Sequence, residues 1–245
     1  MTKLELLKKN EELEKEILEL KGIKQTPRIP TYQYSKIRDV DLEKIVDISQ
    51  KLNKNRFNNW FENSKKLEEN EEKFLEQLLE VEGEYLSLYS EENLKMRFLS
   101  PLLVKVDFKT DDFKDFYDEK LTYKNEKFTL TGEVDILIST GLRKAKKPYF
   151  FIQEFKRDED YGNPRPQLLA EMISAVELNN WSEIKGSYIV GENWRFVILE
   201  KLGKDKYRYF ISESLNSTKI DELKNIYKNL QFVKNEIIKM VKEEK

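Results

Sequence analysis

The sequence predicts an α/β (α+β) protein in which one mixed β-sheet is flanked by helices, with a helical region ahead of it. Two runs mark strands: residues 128–138 alternate apolar and polar with a period of two, and residues 150–156 run apolar and end in charge. Helical spacing brackets them: apolar side chains recur three or four positions apart over residues 90–102, 167–176 and 220–241. No internal repeat or low-complexity segment interrupts this order of helices, a strand-rich block broken by one helix, and a final helix, which fits a single sheet.

In chain order, Leu6, Asn10, Leu13, Ile17 and Leu20 alternate at four and three residues, giving a helix over 1–22 with an a/d seam and one polar position. That seam serves either docking on the chain's own domain or a homodimer. Gly22 ends the helix, and Pro27 and Pro30 mark a connector. Residues 23–88 read as a helical region carrying Leu42, Ile45, Val46, Phe57, Trp60, Phe61, Phe74 and Leu78. An aromatic stripe at this spacing is core far more often than a base-stacking platform, the other reading of Trp60. The main domain is expected over 89–245. Ser90 is a natural N-cap, with Glu91 and Glu92 in the first turn where the helix dipole favours negative charge. Pro101 is expected to kink or end this helix, because it lacks an amide donor. After a polar stretch, the first strand should bury Phe128, Leu130, Val134, Ile136 and Ile138 on one face and turn Thr131, Glu133 and Asp135 to the other. Residues 139–148, with Gly141 and several lysines, read as a hairpin loop. Residues 158–166 read as a loop, Gln167 as the opening of a helix, residues 187–190, 194–199 and 207–211 as strands, and 220–241 as the closing helix.

Composition narrows the chemistry. The 245 residues are 39% apolar, enough to bury a core, and no window approaches the roughly 20 apolar residues of a membrane-spanning helix. The N-terminus carries no secretory pattern, so the expectation is a cytoplasmic protein without a membrane partner. The chain has no cysteine and no histidine, which removes thiolate nucleophiles, imidazole bases and cysteine or histidine metal sites. Carboxylate, lysine, hydroxyl and metal chemistry remain, and an all-oxygen site suits Mg²⁺ or Mn²⁺. The net charge is −2, yet Arg143, Lys144, Lys146, Lys147, Lys156, Arg157 and Arg165 fall near the two strands in sequence, a candidate basic rim for phosphates. At 37% charged residues, a solvated surface explains such a cluster equally well.

The most informative stretch is residues 132–138 followed by 150–156. Alternation puts Glu154 and Lys156 on one face and Phe155 on the other. If the strands pair, Asp135 lies beside Glu154, giving two hard oxygen donors next to an ammonium. An E-x-K triplet alone is weak evidence, because such pairs are usually solvated. Here the acid and the triplet both end apolar strands between two helices.

In that setting the sequence resembles the PD-(D/E)XK nuclease superfamily, the restriction-endonuclease-like fold shared with RecB-like nucleases. Residues 132–135 resemble its first motif, with Asp135 as the acid and without the proline, and Glu154-Phe155-Lys156 matches its second. Residues 91–102 look like the helix that opens the nuclease domain of type I restriction motor subunits, its acid falling on Glu91, with Glu92 as the alternative. Gln167 to Glu171 is similar to the Q-x-x-x-Y element of RecB-like members, with Glu171 in place of the tyrosine. The resemblance covers about residues 90–199.

It implies a metal-dependent nuclease, with DNA as the expected nucleic-acid partner and RNA left open. Asp135, Glu154 and Glu91 would bind Mg²⁺ or Mn²⁺, Lys156 would position the attacking water, and Gln167 would belong to the catalytic group. Arg143, Lys144, Lys146, Lys147, Arg157 and Arg165 would contact phosphates. A defence role follows by analogy only. Two other classes stay open: a non-catalytic scaffold on a nuclease-like fold with a protein partner, and a hydrolase of a small phosphorylated ligand, for which no glycine-rich phosphate loop speaks.

Overall fold

The computed structural model describes residues 29–62, 65–157 and 163–243, together with Leu6, Lys9 and Leu13. The expected helix over 1–22 and its dimer seam lie outside the described residues apart from those three, which are helical. Contacts divide the chain into Met1–Pro30 and Thr31–Lys245. The second unit holds strands β1 (Thr31–Gln33), β2 (Asp47–Gln50), β3 (Lys114–Lys124), β4 (Thr129–Thr140), β5 (Lys146–Lys156), β6 (Glu183–Val190), β7 (Asn193–Gly203), β8 (Lys206–Ile211) and β9 (Leu215–Asn216). Its helices are α1 (Asp39–Ile45), α2 (Asn58–Phe61), α3 (Glu69–Glu82), α4, α5 (Pro164–Asn179) and α6 (Ile220–Glu243). Helix α4 is continuous through Glu91–Leu94, a π-helical turn over Lys95–Leu99, and Ser100–Val106. No helix of the described residues is long and apolar enough to cross a membrane.

The strands form one mixed sheet in the order β1-β4-β5-β6-β7-β8-β2. Strand β3 runs antiparallel along one edge of β4, while β1, parallel over Thr129–Thr131, and β5, antiparallel over Ile136–Thr140, share its other edge. The β5–β6 and β8–β2 pairs are parallel, and β6–β7 and β7–β8 antiparallel. Helices cover both faces. Leu168, Leu169, Met172 and Ile173 of α5 pack with Leu42 of α1 on Ile152, Val197 and Leu199. Phe98 and Leu102 of α4, Leu75 of α3, Trp60 of α2 and Leu223 and Leu230 of α6 pack on Phe151, Phe155, Phe196 and Ile198. Double coverage explains why the central strands read as nearly continuous apolar runs.

The mixed α/β class expected from sequence is therefore present, with several elements the periodicity missed. Within residues 23–88, read as a helical region, Thr31–Gln33 and Asp47–Gln50 are strands of the sheet, and Phe57 and Trp60 are buried in its core. The polar stretch before β4 is itself strand β3, an edge strand whose outward residues are charged and whose Phe116 and Leu121 are buried. Helix α5 opens one turn earlier than expected, at Pro164, with Asn163 accepting from the Arg165 amide. Pro101 does not end α4. It falls in the first turn of its last α-helical stretch, straight after the π-turn, so its missing donor breaks no regular ladder.

The buried face expected for β4 also splits. Phe128, Leu130 and Val134 join the cluster beneath α5, whereas Ile136 and Ile138 join the one beneath α4 and α6. On β3, Tyr117 and Leu121 divide the same way, and between them Asp118 has φ of 53°. The ladder passes from Tyr117↔Ile136 to Glu119↔Val134 without an Asp118–Asp135 pair. The phase of side-chain alternation thus changes at Asp135.

Close approach explains Gly132. A Cβ there would lie 2.8 Å from Cδ2 of Tyr34, a fully buried ring whose hydroxyl donates to Ser174 Oγ of α5 at 2.8 Å. Gly132→Ala is expected to cost about 1–3 kcal/mol through overpacking, read as a lower urea midpoint, and unchanged stability would contradict the packing.

Candidate active site

The site forms where two ladders stop. Pairing of β4 with β5 ends at Ile136↔Gln153, and β3 skips its pair with Asp135. Beyond that point carboxylates replace carbonyls as backbone acceptors. The Asp135 amide donates to Glu154 Oε1 at 3.2 Å, and the Phe155 amide donates to Asp135 Oδ2 at 3.1 Å. Each acid therefore holds the backbone beside the other, which fixes both side chains at the mouth of a splayed strand pair.

Lys156 closes the group from the strand end. Its Nζ lies 4.0 Å from Glu154 Oε2 and 3.4 Å from Glu91 Oε1, and donates to the Phe155 carbonyl at 3.1 Å. Glu91 comes from the first turn of α4, capped by Ser90, whose Oγ accepts from the Asn93 amide. Glu92 is exposed, and no ion pair or hydrogen bond joins it to this group among the described residues, so Glu91 is the acid that meets Lys156. Gln167 arrives from α5, and its amide donates to Glu171 Oε1 at 3.2 Å.

Glu171 is the residue that sequence reasoning left without a role. It is fully buried, as is Glu154; one oxygen of each (Oε2) receives no donor from the rest of the protein, and the two carboxyls hydrogen-bond one another. The available signal was an acid four residues after Gln167 on a helix otherwise apolar through Leu168, Leu169, Ala170, Met172 and Ile173.

Burial raises the Glu154 pKa well above the ordinary carboxylate range, and the charges of Glu171 and Asp135 push it further. Burial likewise raises Glu171, with Asp135 adding to the effect. For Lys156, burial alone would favour the neutral amine, but the carboxylates of Glu154, Asp135 and Glu91 outweigh it and raise its pKa. Lys156 is thus held as a cation rather than poised as a base.

These directions predict a pH dependence. Acids whose pKa is raised on folding keep protons that the unfolded chain has lost, so the folded state binds more protons and stability falls as pH rises from about 4.5 through the raised values. In EDTA, the Tm of the protein is expected to fall between about pH 5 and pH 8, and Glu171→Gln to flatten that slope. Equal slopes for both proteins would contradict it.

The donor set fits a hard divalent ion: three carboxyls around one ammonium, with two buried carboxyl oxygens that receive no donor from the rest of the protein. Among the described residues no three acidic side chains already stand at the spacing of a formed metal centre.

The expected phosphate contacts separate into two places. Arg143, Lys144, Lys146 and Lys147 are exposed around the β4–β5 turn, and Lys146 is eight residues from Glu154 along β5, roughly 26 Å at strand rise. They are not brought to the site. Arg157 and Arg165 line a cleft of about 1460 Å³ at the carboxyl ends of β5 and β6, with Arg195, Tyr188, Phe57 and Phe61. Its wall joins the site directly, since Gly191 donates to the Lys156 carbonyl at 2.9 Å. Arg165 is ion-paired with Asp39, and Arg195 donates to the Ser212 carbonyl. Comparison of the chain with protein-family models and with curated proteins finds no match.

Proposed function

We propose that the chain is a metal-dependent nuclease of the restriction-endonuclease-like fold, cutting phosphodiester bonds, with DNA as the first substrate to test. The observation that carries this reading is the juxtaposition at one strand break of Asp135, Glu154 and a charged Lys156, beside a cleft whose wall includes arginines and aromatics. Such a cleft at the carboxyl ends of parallel strands is where mixed α/β sheets place ligands.

Asp135 and Glu154 would hold Mg²⁺ or Mn²⁺, with Glu91 as the further acid the resemblance carries. Such an ion, when bound, lowers the pKa of a water and offsets charge on the phosphate. The chain's own residues do the rest. Lys156 stays cationic and orients the attacking water toward phosphorus, Glu91 and the Phe155 carbonyl fix its Nζ, and Arg157 and Arg165 at the cleft steer the backbone. The paired backbone bonds of Asp135 and Glu154 limit the reorganisation that binding requires.

The test is incubation with supercoiled plasmid, linear duplex, single-stranded DNA and RNA in Mg²⁺ or Mn²⁺, with an EDTA control. Cleavage abolished by EDTA supports the reading and names the substrate. The full burial of Glu154 favours a second reading, a scaffold in which these charges only bind one another. That reading expects folded protein to cut nothing and to bind no ion.

A further inference from the structure

We propose that Glu171 is the third carboxylate of the divalent-cation site, and that Glu91 instead holds Lys156 at its rim. This rests on the metal-nuclease reading and assigns a residue that the resemblance leaves without a function. Glu171 is fully buried, on a helix whose positions 166–176 are all buried. A buried carboxyl needs partners for both oxygens, and the hydrogen bond from Gln167 meets the needs of only one. The other, Oε2, is buried and receives no donor from the rest of the protein; the Glu171 carboxyl instead shares a hydrogen bond with that of Glu154, which shares one with Asp135, so the three carboxyls are in mutual contact.

Charge counting points the same way. Asp135, Glu154 and Glu171 act on one another electrostatically, and each of the two buried acids is influenced by Lys156. With Glu91 at the rim, four carboxylates face one ammonium, so ionising the buried acids leaves an excess of negative charge that a divalent cation would offset. Glu91 differs in every respect: its side chain is 41% exposed and turned to Lys156 at 3.4 Å. Gln167 then has a defined task, since an i, i+4 bond to Oε1 fixes Glu171 and leaves Oε2 available. Because the acids do not yet stand at metal-centre spacing, the proposal includes a small shift of the Glu171 carboxyl about its Gln167 bond as the ion binds, with Glu154 keeping its bond to the Asp135 amide.

Mn²⁺ is the probe, titrated into the full chain and followed by the electron paramagnetic resonance of free ion, for wild type, Glu171→Gln, Glu171→Asp, Glu91→Gln and Asp135→Asn. Glu171→Gln keeps the shape and the bond with Gln167, so thermal melting in EDTA should show an intact fold. Its Mn²⁺ affinity is expected to fall at least about tenfold, the loss seen even for groups that only support a ligand, with Glu171→Asp in between. Glu91→Gln leaves every proposed oxygen donor in place and should lower affinity less than Glu171→Gln does. Wild-type affinity in both Glu171 variants, with Asp135→Asn impaired, overturns this assignment alone. No Mn²⁺ binding by wild type overturns the nuclease reading with it.

Discussion

Replacing Lys156 by alanine is expected to lower cleavage by about 10²–10³-fold while the protein stays folded, the scale of losing one preorganised group that stabilises charge in the transition state. The ammonium sits between Glu154 and Glu91, and three carboxylates keep it charged. On the proposed mechanism, its removal takes away the cation that would orient the attacking water. The fold should survive, because Glu154 and Glu171 already favour protonation and can hold protons when the cation is gone. Mn²⁺ binding should persist, because the oxygen donors are unchanged. Parental cleavage rates in Lys156→Ala protein, or loss of cleavage together with loss of folding, would contradict the role given to this residue.

Trp60→Ala is expected to produce the largest loss of stability, about 3–5 kcal/mol for a buried tryptophan. The side chain is 1% exposed, its indole nitrogen donates to the Asn229 carbonyl of α6 at 2.9 Å, and its ring meets Phe196 of β7 edge-on at 5.0 Å. Helix α2 is thereby tied to both the sheet and α6. Urea unfolding should show one transition with a lower midpoint. A Trp60→Ala protein of parental stability but weaker nucleic-acid binding would restore the base-stacking reading.

The site strands were legible because β4 alternates apolar and polar residues and β5 runs apolar into Glu154-Phe155-Lys156, a signal that depends only on local pattern, although Asp135 does not end its strand, which continues to Thr140. Asp135, Glu154 and Lys156 meet in space for that reason, and Ser90 caps α4 as its residue type predicts. What escaped was long-range. Strand β3 reads as polar because it borders the sheet with charged residues turned outward, and β1 and β2 are too short, at three and four residues, to show a period. The phase change at Asp135 needs the left-handed Asp118 across the ladder, which no pattern within β4 reports. The basic residues separate although they are close in sequence: a strand as long as β5 carries Lys146 and Lys147 away from the acids at its other end. Glu171 was visible as an anomaly on an apolar helix, but its meaning emerges only when α5 lies over β5 and brings it to Glu154.

Calorimetric titration of Mn²⁺ into the wild-type chain and Glu154→Ala measures the central claim most directly. Saturable binding by wild type, weakened at least about tenfold in the variant, is the expected result. Absence of binding by the folded wild-type protein, or equal affinity in the two proteins, would contradict a metal site at Asp135 and Glu154.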